Sequence, residues 1–252
     1  MTGPVEPGFA ARARSFGAVA TGYAALRPTY PVDAVAFLLE ARRERVLDLG
    51  AGTGLLTEVV AGLGHDVLAV DPSPEMLAQL TVRLPGVRTA VGTAESLPAD
   101  SGSVDAVLAG QAAHWFDPPP AAREIRRVLR PSGVLGLVWN TRDARVPWIA
   151  ALEEVIADEA RGHEADQGVV DRFAEELDAE VDVLESGIVQ RLTPEDVVAG
   201  IATRSYVAVM DDARREEFLS GVRQLLAGHP GTAGRSEIDL PYVTRAYRLT
   251  PR

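Results

Sequence analysis

The sequence predicts an α/β fold, a mostly parallel sheet with helices on both faces. Three observations carry that expectation. Short apolar runs alternate with amphipathic, helix-like runs from Arg45 to Trp139. The breaks between them are short. A glycine-rich turn, Gly50-Ala51-Gly52-Thr53-Gly54, closes the first apolar run. Such alternation builds parallel strands joined by right-handed crossovers. Ligands in these sheets sit outside the carboxyl ends of the strands, so a site residue should fall just after a strand.

The elements follow in order. Residues 1–15 mix Gly, Pro, Ala and charges without an apolar segment and read as a flexible leader. Residues 16–30 form an amphipathic helix stopped by Pro28 and Pro31, with Tyr23 and Arg27 four apart on one face. A helix is expected over 31–43, giving an N-terminal helical lid over 16–44. Strand 45–49, helix 54–63, strand 66–71, helix 74–83, strand 87–91, strand 104–109, helix 119–130 and strand 134–139 then complete a cofactor-binding core over 45–140. Residues 147–178 are helical and acidic, with Trp148, Leu152, Val155 and Ile156 on one spacing, and form a cap inserted at 141–180. A strand at 181–192, helices at 194–204 and 211–227, and a last strand at 238–249 close the chain, so that 16–252 is one domain.

Bulk composition narrows the function classes. Among 252 residues, 46% are hydrophobic and 24% charged, ordinary for a globular protein. All 25 basic residues are Arg and the net charge is −11, which argues against a broad nucleic-acid or anionic-membrane surface. With no cysteine, disulfides, thiolate metal sites and a cysteine nucleophile are excluded together. No apolar run approaches the ~18 residues of a membrane span. No metal site is expected, and the expected compartment is the cytoplasm.

The glycine turn is a place where backbone can approach a ligand closely and where the N–H groups of a helix start attract an anionic group. A dinucleotide fingerprint needs its third glycine at position 55, which is Leu. The spacing is G-x-G-x-G, with Asp48 two residues ahead of Gly50. Two more acids follow later strands: Asp71 ends Val67-Leu68-Ala69-Val70, and Glu95 lies in Gly92-Thr93-Ala94-Glu95-Ser96-Leu97-Pro98. A carboxylate at Asp71 can accept hydrogen bonds from both ribose hydroxyls, or cap the following helix. After the fourth strand comes Gln111-Ala112-Ala113-His114-Trp115-Phe116-Asp117.

These segments together resemble the class I S-adenosylmethionine-dependent methyltransferases, in particular the type 11, trans-aconitate-like group, from about Phe16 to Trp139. The resemblance implies a Rossmann-like fold with a seven-stranded sheet whose last strand is antiparallel, and S-adenosylmethionine as cofactor. It implies that Gly50 and Gly52 pack on the methionine part, Asp48 lies near its amino group and Asp71 holds the ribose. Met76, Ala94 and Glu95 would surround the adenine, while Gln111, Tyr23 and Arg27 complete the cofactor site. An arginine such as Arg27 can grip a carboxylate bidentately.

His114, Trp115 and Phe116 would line the meeting point of methyl group and acceptor, with Trp148 of the cap shaping the acceptor pocket. Histidine's ordinary pKa of ~6.5 suits proton removal at neutral pH, so His114 is the candidate base, with loop ordering as its alternative role. Asp117-Pro118-Pro119-Pro120 is not the D-P-P-Y of amino-methylating DNA enzymes, since it comes late and ends in Pro. The expected function is methyl transfer to an O, N or C nucleophile of a small-molecule acceptor, by a monomer or homodimer. A cyclase-type enzyme of the same fold, a silent cofactor-binding partner and an NAD oxidoreductase are the alternatives.

Overall fold

The computed structural model describes residues 26–39, 44–156, 163–204, 207 and 210–252, and for 163–165 the backbone only. Tyr23 and the leader lie outside the described residues. In chain order the elements are α1 (Val32–Leu38), β1 (Arg45–Leu49), α2 (Leu55–Gly62), β2 (Asp66–Asp71), α3 (Pro74–Arg83), β3 (Arg88–Val91), β4 (Val104–Gly110), a 3₁₀ turn (Ala113–Trp115), α4 (Pro118–Val128), β5 (Leu129–Arg142), α5 (Pro147–Val155), α6 (His163–Leu177), β6 (Ala179–Leu192), α7 (Pro194–Ala202), α8 (Asp212–Gly228) and β7 (Ile238–Pro251).

Seven strands form one sheet in the order β3-β2-β1-β4-β5-β7-β6. The pairs β1–β2, β1–β4, β2–β3 and β4–β5 are parallel, and β5–β7 is antiparallel, with Leu135 opposite Leu249 and Arg142 opposite Tyr242. This is the mostly parallel, Rossmann-like sheet the alternation implied. The central strands β1 and β4 are buried on both faces, as hydrophobic runs without alternation must be. Strand order reverses between β1 and β4, so β1 ends at the switch point where such sheets bind ligands.

The chain divides into two compact units. The larger consists of Pro28–Asp143, the described part of Arg161–Gln190, and Pro241–Arg252. One face of its sheet packs Leu47, Leu49, Val107, Leu135, Leu137 and Trp139 under α4 and α6. The other packs Val46, Leu108 and Val138 under α1 and α2. The smaller unit comprises the described parts of Met1–Arg27, Ala144–Ala160 and Arg191–Leu240, with α7 and α8 packed together and α5 against α8. The 141–180 span expected as one cap is therefore divided. The α6 side chains of Val169, Val170, Phe173 and Leu177 are buried in the larger unit's core.

Strand β5 begins five residues earlier than expected. Leu129 pairs with Val104, and the strand carries Pro131-Ser132-Gly133 through a register shift, with Ser132 at φ 67°. Helix α1 is shorter than expected and ends at Leu38. No helix among the described residues is long and apolar enough to cross a membrane.

Candidate functional site

At the carboxyl end of β1 the chain turns through Gly50, Gly52 and Gly54 at φ 73°, 54° and 88°, a region that costs an L-residue with a side chain ~1–2 kcal/mol. The N–H groups of Gly50 and Ala51 both donate to Val70 O, at 2.8 and 3.1 Å, which pins the turn to the end of β2. The glycines differ in what surrounds them. A Cβ on Gly50 would lie 2.6 Å from the Cβ of Ala112, and one on Gly54 2.8 Å from Cγ of Leu80, whereas one on Gly52 would meet nothing within 4 Å. Gly50 and Gly54 are glycine because neighbouring chain is in the way, and Gly52 has an open face.

Gly50→Ala is expected to cost ~2–5 kcal/mol in urea denaturation, the sum of the left-handed backbone and an overpacked contact. Gly52→Ala should cost only the backbone part, ~1–2 kcal/mol. Equal losses in the two variants would contradict this division.

Asp48 sits inside β1, 1% exposed. Its Oδ2 accepts a 2.5 Å hydrogen bond from Thr57 Oγ1, a fully buried hydroxyl on α2. Its Oδ1 is buried with no hydrogen-bond partner in the protein. Burial pushes the Asp48 carboxyl up to about 7; the Thr57 hydroxyl and, more weakly, the Thr57 backbone N–H oppose that shift, and the neighbouring Asp71 charge adds to it. One turn ahead of Thr57, Thr53 Oγ1 is also buried without a partner. Native proteins pair such atoms, and an unpaired one calls for an explanation. Two orphaned polar atoms beside an open glycine face fit a polar ligand seated at this turn.

Asp71 ends β2, 8% exposed. Its Oδ2 accepts from the Gly52 N–H and its Oδ1 from the Ser73 N–H, both at 2.9 Å. Burial raises its pKa, and those two N–H groups hold it back. The cap of α3 is Ser73, whose hydroxyl accepts from the Met76 N–H. Asp71 is thus not the helix cap. It fastens the glycine turn to the start of α3 and keeps a free lone pair on each oxygen.

Met76 and Ala94 are buried, Ala94 in the core with Leu97 and Val70. Glu95 is exposed, and its Oε1 accepts from the Asp117 N–H at 3.0 Å, so the acid after β3 ties its own loop to the start of α4. Gln111 has a positive φ of 56°. Its Nε2 donates to Asn140 O at 2.8 Å and its N–H to Val138 O at 2.9 Å. Asn140 is a hub that sequence reasoning missed. Its Nδ2 donates to Thr29 O at 2.9 Å and its Oδ1 accepts from Thr244 Oγ1 at 2.5 Å.

The half-buried His114 ring lies 4.8 Å from that of Trp115, inclined by 47°. Phe116 meets Phe173 of α6 edge-on at 6.4 Å and lies near the Gly50 turn. The larger unit therefore gathers Asp48, Gly50, Gly52, Asp71, Gln111 and the 114–116 segment at the carboxyl ends of β1, β2 and β4.

Two expected residues belong to the smaller unit. Arg27 Nη2 lies 3.5 Å from Thr203 O. Trp148 is buried on α5, where Gly231 packs against its indole. It borders an open depression of about 1120 Å³ with Arg191, His229 and Asp239. Among the described residues no cluster of His, Asp or Glu could hold a metal ion.

A family model described as a methyltransferase domain matches residues 47–137. An uncharacterized methyltransferase of Mycobacterium tuberculosis is 46% identical over 237 residues, covering 94% of this chain and 95% of that protein. The ubiquinone biosynthesis O-methyltransferase of Xanthomonas oryzae is 38% identical over 114 residues, 42% of this chain and 47% of that one.

Among solved structures, a protein of Anaeromyxobacter dehalogenans assigned as a type II methyltransferase superposes with a TM-score of 0.66 at 26% identity, over 89% of this chain and 97% of its own. A phosphoethanolamine N-methyltransferase of Haemonchus contortus, solved with phosphomonomethylethanolamine and S-adenosylhomocysteine, gives a TM-score of 0.55 at 16% identity. That match covers 98% of this chain and 61% of that one, and bears on the fold alone.

Proposed function

Because the chain belongs to the class I S-adenosylmethionine-dependent methyltransferases, we propose that it methylates an O, N or C nucleophile of a small molecule at the carboxyl ends of β1, β2 and β4. The observation that carries the site assignment is the orphaned, fully buried Oδ1 of Asp48 beside the open face of Gly52. A buried carboxylate with a vacant acceptor suits the cofactor's ammonium group, since pairing offsets the burial of charge. The free lone pairs of Asp71 suit the ribose hydroxyls, and the buried Met76 and Ala94 with the Glu95 loop suit the adenine. Gln111 is proposed for the cofactor's methionine end, and Tyr23 and Arg27, on the sequence resemblance alone, for its carboxylate.

Bound S-adenosylmethionine supplies a sulfonium methyl group already activated for displacement. What remains for the protein is alignment and exclusion of water. Trp115 and Phe116 are the proposed walls of the acceptor site; the Phe116 ring packs on Phe173 and near the Gly50 turn, and that of Trp115 lies against His114. His114 is the proposed base for an acceptor that must lose a proton, taking it at a ring nitrogen. The net charge of −11 and the absence of lysine favour a small acceptor over a polyanion.

Calorimetric titration and thermal melting test the reading. S-adenosylhomocysteine at ~100 times its Kd should stabilise the protein by ~2.7 kcal/mol, and NAD should leave it unchanged. Gly52→Ala should weaken that binding while costing no more than the ~1–2 kcal/mol of its left-handed backbone. Methyl-labelled cofactor incubated with a cell extract should place label in the small-molecule fraction and release S-adenosylhomocysteine. Label confined to protein or nucleic acid would overturn the acceptor class.

A further inference from the structure

We propose that Thr57 is a positioning residue for the cofactor, its hydroxyl holding Oδ2 of Asp48 so that Oδ1 alone is presented to the cofactor's ammonium group. The inference rests on the site assignment above. A threonine in a helix ordinarily returns its hydroxyl proton to the carbonyl one turn back or turns it to solvent. Thr57 is 0% exposed, and its proton goes to Asp48 at 2.5 Å. For packing alone, valine would fill the same space without a polar atom to bury.

The arrangement has a directional logic. A buried carboxylate can rotate or take up a proton to relieve its burial, and either change would spoil it as an acceptor for a cation. The Thr57 hydroxyl opposes both, because it bonds one oxygen at a fixed angle and favours the ionised form. Flanking strands offer no substitute: the residues paired with Asp48 are Ala69 of β2 and Leu108 of β4. The charge acting on Asp48 is that of Asp71 at the end of β2; Tyr30 lies beside Gly110, and Glu58 follows Thr57 on α2. Glu58 is exposed and ion-paired with Arg83 of α3. None of them supplies a second donor to Asp48. Thr57 is the one side chain hydrogen-bonded to it among the described residues.

The test measures the Kd of S-adenosylhomocysteine for wild type, Thr57→Val, Thr57→Ser and Asp48→Asn from about pH 6.5 to about pH 8.5, where the raised Asp48 titrates. The ammonium group's own titration is common to all variants and cancels in their ratios. Thr57→Val keeps the Thr57 backbone N–H that also favours the ionised carboxyl and loses only the hydroxyl; it should weaken binding by ~10-fold or more at neutral pH, with the deficit narrowing as pH rises. Thr57→Ser keeps the hydroxyl and should stay within ~2-fold of wild type with the same profile.

A Thr57→Val protein of lower melting temperature but wild-type Kd and pH profile would overturn the proposal. So would a Thr57→Ser protein that folds and binds poorly, an outcome that remains readable if the valine variant does not fold. Asp48→Asn separates the two levels of the argument: unchanged binding there removes the site assignment itself. Lost binding in Asp48→Asn with normal binding in Thr57→Val removes only the role of Thr57.

Discussion

Asp48→Asn is expected to make the ligand-free protein more stable at alkaline pH while weakening S-adenosylhomocysteine by ~100-fold or more, the usual consequence of truncating a buried charge pair. The sign follows from the raised carboxyl. Asp48 in the folded chain titrates at about 7, against an ordinary value of ~3.9 in the unfolded chain. Between those values the folded state keeps a proton that the unfolded state has released. Stability therefore falls as pH rises from about 4 to about 7 and is level above that. Three pKa units correspond to on the order of 4 kcal/mol.

Asparagine cannot ionise, so this contribution to the slope should vanish in the variant. Its amide can still accept from Thr57, but its NH2 group lacks an acceptor, which costs ~1–3 kcal/mol. The net gain above pH 7 is then ~1–3 kcal/mol, read from urea melts at about pH 5 and pH 8. Other groups add their own slopes, His65 with the opposite sign, so the difference between the two proteins is the readout: a variant that keeps the wild-type slope would contradict the burial of an ionisable Asp48.

The second large effect concerns His114. As the base for an acceptor that must lose a proton, His114→Ala should lower turnover by ~10²–10⁴ with cofactor affinity little changed. The wild-type rate should rise with pH as the base gives up its proton, and the variant should lose that limb. If His114 instead orders the segment that packs Trp115 at 4.8 Å, cofactor or acceptor binding should weaken with turnover, and His114→Asn should restore most of both. An acceptor already ionised, such as a carboxylate, needs no base and predicts a mild variant. Turnover against pH for the three proteins distinguishes the cases.

Much of the larger unit was legible because its signals are local. Strand β2 over 66–71 and helix α3 over 74–83 lie where the pattern put them. A continuous apolar run with a terminal acid, then Ser-Pro-Glu at a helix start, leaves little choice of boundary. The acids at the carboxyl ends of β1 and β2 and in the loop after β3 are legible from chain position alone, because a parallel sheet sends the ends of its strands to one edge.

What escaped notice depends on partners distant in sequence. Pro131-Ser132-Gly133 reads as a break, and the extension of β5 across it depends on Val104, which offers Leu129 a place in the sheet. Helix α6 shows a helical stripe in Val169, Val170, Phe173 and Leu177, but nothing local says that it belongs over Trp139 and Tyr247. Thr57 and Asn140 carry no signal as residue types. Their roles come from Asp48, nine residues away, and from Thr29 and Thr244, each more than a hundred away. Glu95 was singled out for its position, and its bond to the Asp117 N–H, 22 residues on, appears only in three dimensions.

The sheet order has a consequence for how the chain is made. Strand β7 lies between β5 and β6, although both precede it in sequence. A ribosome therefore releases β5 with its outer edge open and β6 with no neighbour in the sheet, and both wait until Ile238–Pro251 has emerged. At ~5–20 residues per second that interval lasts several seconds, long enough for two exposed backbone edges to meet other chains. The parallel part, β1 to β5, needs only strands already made and can assemble while the rest is still being translated, with the outer edge of β5 left open. Nascent chains arrested before Ile238 should show a protease-resistant core ending near β5, with β6 still open to cleavage.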